Sequence, residues 1–177
     1  MSTRCQIGIL GDVKADKAKP EVLLYRHSDG YPGTVDGKEY GVLADIVPFL
    51  LDFNKRRGIT NSVDYCGAWL MHHLISKSIE HMRAFNVRLA KATGKPVEGN
   101  EIDYLGYGID GDKQFHGDIE YYYAVYPDRV EVWDVDGHSP KDWKKTFTVY
   151  LINTEKKTKG MQVRIDGKKK MTADAIV

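Results

Sequence analysis

Cysteine is scarce. Cys5 and Cys66 are the only two in 177 residues, too few for a disulfide framework, so the chain must fold on a hydrophobic core of its own. No apolar run is long enough to cross a bilayer, and Met1-Ser2-Thr3-Arg4 leads straight into a strand-like segment with no signal-peptide pattern. Repeats of solenoid period, low-complexity tracts and Pro/Gly/Ser linkers are also missing, which removes solenoids and an obvious domain boundary. The expectation is a cytoplasmic protein with reduced thiols, a single domain over residues 1–177 and no membrane partner. What is present fits that expectation: 42% apolar and 29% charged residues are ordinary for a globular chain long enough to bury a real core.

Charge is nearly balanced at +1 but unevenly spread. Residues 98–142 carry twelve acidic and three basic side chains, whereas residues 143–177 carry nine basic and three acidic. The favoured reading is that the basic tail neutralises the acidic segment; residues 154–177 could also form a loosely attached basic hairpin or tail.

Thr3–Val13 alternates, with Cys5, Ile7 and Ile9 on one side, and the apolar run Val22–Tyr25 follows a polar loop. Two strands so joined read as an antiparallel hairpin. Residues 40–57 read as a helix, closed by Lys55-Arg56-Arg57 and Gly58, with Pro48 either kinking it or marking its start. A second helix begins at Asn61 or Ser62, repeats Val63, Cys66, Leu70, Leu74, Met82 and Leu89, and stops at Gly94 and Pro96. Its length suggests a break near Asn86. From Glu101 the pattern turns to strands: Ile119–Tyr126, Arg129–Val135, Thr146–Ile152 and Met161–Ile165, then Lys168-Lys169-Lys170 after the turn Asp166-Gly167. The order is β-β-α-α-β-β-β-β-β, an α+β fold with a mainly antiparallel sheet packed against two helices.

The stretch Tyr25–Gly33, "YRHSDGYPG", holds the densest chemistry. His27 with Asp29 two residues on could form a general base and its orienting partner, while Arg26 could receive an anion. Two turn signals in succession give the bland alternative. Arg26 and His27, as neighbours on a strand, also point to opposite faces. Arg4 could pair with Asp29 and lock the loop, or share a polar rim with His27 and Asp29.

Other candidates are weaker. Cys5 stands after four residues and lacks the free amine that an N-terminal nucleophile uses as base. His72, His73 and His81 lack the spacing of a helical zinc pair, with His81 expected near the buried stripe and His72 in solvent. "DGDKQFHGDIEY" (Asp110–Tyr121) has Phe115 where a calcium loop needs Gly and Tyr121 where it needs Glu, leaving nonspecific cation binding by Asp110, Asp112 and Asp118. Neither a metal nor a cofactor is expected. Tyr121-Tyr122-Tyr123, Tyr126 and Trp133 could stack on bases, but Glu120, Glu131 and Asp134 would repel phosphates. Packing of one face, with the other solvated or engaging a partner, is the better reading.

The opening Thr3-Arg4 with its apolar strand, and then Tyr25, His27, Asp29, Gly30, Tyr31 and Pro32, resemble a family of uncharacterised bacterial and phage proteins. Its members open with Met-x-Thr-Arg and carry Tyr-x-His-x-Asp-Gly-Tyr-Pro. "DYCGAWLMHHL" (Asp64–Leu74) and "GDIEYYYAVY" (Gly117–Tyr126) resemble the helix and aromatic strand that follow in such proteins. The resemblance implies a phage or mobile-element setting, and that Arg4 and the His27–Pro32 loop matter together; it brings no activity.

The leading expectation is therefore an accessory protein that binds a host protein or a small polar ligand through the His27–Tyr31 loop and an acidic sheet face, using Arg4, Arg26, His27, Asp29 and Tyr31. The alternative is a hydrolase or transferase with His27 as base, supported by Asp29 and Arg4. Nucleic-acid binding through the C-terminal lysines ranks third. Aromatic residues on open strands would suit a homodimer without requiring one.

Overall fold

A computed structural model describes residues 3–35, 39–96, 106–135, 139–152, 162–165 and 168–172, with side-chain surroundings as far as Leu151. The elements run β1 (Cys5–Ile9), β2 (Val22–Arg26), α1 (Val42–Arg56), α2 (Val63–Thr93), β3 (Tyr107–Ile109), β4 (Tyr121–Val125), β5 (Arg129–Asp134), β6 (Lys144–Ile152), β7 (Gln162–Ile165) and β8 (Lys168–Thr172). The strands form a sheet of spatial order β3-β2-β1-β4-β5-β6-β7-β8. The α+β class, with two helices packed on the sheet, is as expected. The turn at Asp166-Gly167 and the side chains of the lysine-rich tail lie outside the described residues.

One strand pair departs from the antiparallel pattern. β1 runs parallel to β4, in register from Cys5–Tyr121 to Ile9–Val125, while β2 pairs with β1 antiparallel on the other edge. After β2 the chain makes both helices and returns at β3, outside β2. It then enters the sheet on the far side of β1. β3 has no counterpart in the sequence pattern, because three residues around Gly108 are too few to show alternation.

Alternation along β1 and β2 builds two cores. Cys5, Ile7, Ile9 and Leu24 pack under Val42, Leu43, Ile46, Leu50, Leu70 and Leu74 of the helices. On the opposite face Leu10, Leu23, Tyr122, Ala124 and Tyr126 pack with Ile119 and Trp143. Tyr122 and Tyr123 are both fully buried. β4 therefore has no solvated aromatic face, contrary to expectation, because Phe115, Ile119 and Trp143 close over its second side.

α1 starts at Val42 and carries Pro48 in its interior. Its first N–H groups are satisfied by main chain rather than by a side-chain cap: Val42 N–H donates to the Tyr31 carbonyl and Leu43 N–H to that of Pro32. α2 runs unbroken through Asn86 to Thr93, and Gly94 closes it in the left-handed conformation. At 31 residues it is roughly 46 Å long. Its buried positions end at Ser78, so Phe85, Val87 and Leu89 beyond that point are exposed. Among the described residues, no helix is long and apolar enough to cross a membrane.

Candidate binding cleft

The sheet divides the "YRHSDGYPG" stretch in two. Leu24 packs in the helix-side core and Leu23 in the other, so the period of two places Arg26 on the helix face and His27 on the opposite face.

Arg26 is 3% exposed. Its Nη1 donates to Asp45 Oδ2 at 3.1 Å, its Nε to the Ser28 carbonyl at 2.8 Å and its Nη2 to Tyr40 Oη at 3.3 Å. Tyr40 Oη in turn donates to Asp45 Oδ2 at 3.2 Å. One hydroxyl thus bridges both halves of a buried ion pair. Burial alone would lower the Arg26 pKa, but Tyr107, Tyr40, Cys5 and Asp45 around it raise it, so the guanidinium stays charged. Burial pushes the Tyr40 hydroxyl well up, and it stays protonated. Asp45 is further fixed through its carbonyl, which accepts His73 Nε2–H at 3.1 Å.

Above this pair a cavity of about 50 Å³ opens between β2 and α2, lined by Arg26, Asp29, Tyr40, Ser78, His81 and Tyr107 among others. A water needs some 10–15 Å³ on this measure, so the space takes a group of a few heavy atoms. Tyr40 and Tyr107 rings flank the guanidinium, 6.0 and 5.8 Å from its carbon, and His81 packs edge-on to Tyr40. The walls therefore carry hydroxyls, a carboxylate, an imidazole and a guanidinium within one small space.

His27 belongs to a different cluster. Its Nδ1 lies 3.4 Å from Arg4 Nε and 3.3 Å from Tyr25 Oη. Arg can only donate, so Nδ1 accepts and the neutral ring carries its proton on Nε2. The ring nitrogen that a general base would use is thus turned toward Arg4 and Tyr25. Asp29, which lines the cavity on the other face, is not its orienting partner. The expected Arg4–Asp29 ion pair is not formed either: Arg4 Nη1 pairs with Asp118 at 3.2 Å, because Arg4 lies on the His27 face of the sheet.

The rest of the loop is a lock. Gly30 N–H donates to the Thr3 carbonyl, and the buried Tyr123 hydroxyl donates to the Gly30 carbonyl at 2.8 Å. A Cβ on Gly30 would sit 2.8 Å from Arg4 C and Cys5 N, which requires glycine. Asp29 takes the left-handed conformation at φ 54°, one that Asp tolerates. Tyr31 is 37% exposed and holds the start of α1 through its carbonyl.

Several residues escape sequence reasoning. Asp45 in the first turn of α1 reads as ordinary dipole compensation, and nothing local shows that it meets Arg26. Tyr40, Ser78 and Tyr107 come from three separate segments. Gln6, fully buried, pins the 110–116 loop by donating to Asp110 and the Gln114 carbonyl and accepting His116 N–H. Asp110 also accepts His116 Nε2–H at 3.0 Å, so two of the three acids considered for a cation, Asp110 and Asp118, serve structural bonds. Among the described residues no His, Cys, Asp or Glu group is arranged to hold a metal ion. The half-buried histidine of α2 is His73 rather than His81, which is exposed. Both thiols are buried and pushed up to about 12 by that burial, which suits core residues rather than nucleophiles.

No family model, curated protein or solved structure matches this chain.

Proposed function

We propose that this protein is a binding module whose helix-face cleft receives a small polar group, either a free molecule or a side chain of a partner. The observation that carries this reading is a charged arginine buried at the floor of a cavity otherwise walled by hydroxyl, imidazole and carboxylate groups. Arg26 and Asp45 balance each other, and Asp29 and His81 add a carboxylate and an imidazole at the walls. Such a wall selects a group presenting both donors and acceptors, an amide or an amino-acid-like end, over a bare anion. The resemblance of the opening motifs to phage and bacterial proteins would make the natural partner a host component.

A thermal-shift screen of amino acids, amides, carboxylates and phosphates tests this reading. At a hundredfold excess over Kd a ligand stabilises by about 2.7 kcal/mol, or several degrees. The shift should vanish in Ser78→Met, which fills the cavity, and persist in His27→Ala. No stabilising compound, or a shift lost only in His27→Ala, would overturn it.

A further inference from the structure

α2 continues past the body of the protein, and the stripe that is buried at Val63, Leu70, Leu74 and Ser78 continues through Met82, Phe85 and Leu89. Phe85 is 50% and Leu89 36% exposed. An open groove of about 890 Å³ runs along this part of the helix, walled by Tyr40, Met82, Phe85, Val87, Arg83 and Arg88. Tyr40 and Met82 also line the polar cleft, so groove and cleft adjoin. From Glu80 to Thr93 the helix carries Arg83, Arg88 and Lys91 against the single acid Glu80, whose carboxylate pairs with Lys77 at 3.0 Å.

We propose that this groove docks an acidic protein segment, with a large apolar side chain seated against Met82 and Phe85 and carboxylates on Arg83 and Arg88. The proposal rests on the binding reading above and names the partner's chemistry. Charge decides the occupant. A symmetric pairing of two α2 helices would set two stretches of net +2 against each other. Single-stranded nucleic acid could stack a base on Phe85 but finds no aromatic face at Met82 and Val87, which an aliphatic side chain fills better. The open groove leads into the enclosed polar cleft through Tyr40 and Met82, which a bilayer surface does not enter and a peptide segment with an apolar anchor can.

Panning a random peptide library displayed on phage against the full chain tests this. Enriched peptides should combine Asp or Glu with Leu, Phe or Trp, and synthetic copies should bind the Arg83→Glu/Arg88→Glu variant at least roughly tenfold more weakly. Phe85→Ala should weaken them too, and all three exposed substitutions should leave the fold intact. No enrichment, no acidic bias, or unchanged binding to the variants would overturn the proposal. So would Phe85-dependent binding to phosphatidylglycerol vesicles or single-stranded DNA without peptide binding, or concentration-dependent self-association lost in Phe85→Ala. Binding retained in Ser78→Met, with no small-molecule shift in the wild type, would sink the cleft reading while sparing this one.

Discussion

Replacing Arg26 alone should be among the most damaging substitutions in the chain. Nη1 and the Asp45 carboxylate are 3.1 Å apart, with side chains only 3% and 6% exposed. At an effective dielectric of 20 their attraction is about 5 kcal/mol, largely offset by the several kcal/mol each ion loses on leaving water. The pair is therefore close to neutral as a pair, but each half is costly without the other. Arg26→Met leaves Asp45 buried and unpaired, for an expected loss of about 3–5 kcal/mol, or roughly 10 °C in Tm. Asp45→Leu should cost as much by stranding the guanidinium. The double variant should cost well under either single one, since two apolar side chains can replace the pair. Tyr40→Phe, which removes the bridging hydroxyl, should cost about 1–1.5 kcal/mol. Urea unfolding with a shared m-value gives these differences directly. If either single variant costs under ~1 kcal/mol, or the double costs the sum of the two, the buried pair is not organised as described.

Gly30→Ala should destabilise by about 1–3 kcal/mol, because its new Cβ meets the backbone of Arg4 and Cys5, while His27→Ala, at a half-buried position, should cost under ~1 kcal/mol; urea midpoints that reverse this order would refute the lock. Iodoacetamide at mildly alkaline pH should leave Cys5 and Cys66 unmodified in the folded protein, since burial holds both thiols up to about 12, and should alkylate both in urea. Burial lowers the His73 pKa despite its bond to the Asp45 carbonyl. The unfolded chain therefore binds this proton more readily, and the stability His73 contributes is present above about pH 6.5 and declines as the pH falls below it. In His73→Gln that part of the pH slope should disappear.

Much of the fold is legible in the sequence because β1, β2 and the N-terminal half of α2 keep clean periods of two and 3.6. The same alternation, read along β2, already sets Arg26 and His27 on opposite faces. What it does not show is the partner each finds. Asp45 and Tyr40 lie in a helix start that local chemistry already explains. Asp118, which takes Arg4, comes close only through the parallel β1–β4 pairing, since the Arg4 carbonyl accepts Glu120 N–H at the foot of that pair. The Met82–Leu89 stripe reads as core because helical spacing records a face, not the length over which a sheet lies beneath it. The loop "DGYPG" reads as a turn for the right reason, though its function as a main-chain cap for α1 depends on reaching across to Val42 and Leu43.

The most direct test is an ¹H–¹⁵N spectrum recorded while acetamide, and separately acetate, is titrated into the labelled full chain. The account predicts saturable shifts at Ser28, Ser78, His81, Gly106 and Tyr107, larger for acetamide, with Gln6, Gln114 and His116 still. Shifts confined to the His27 side of the sheet, or none on either face, would contradict it.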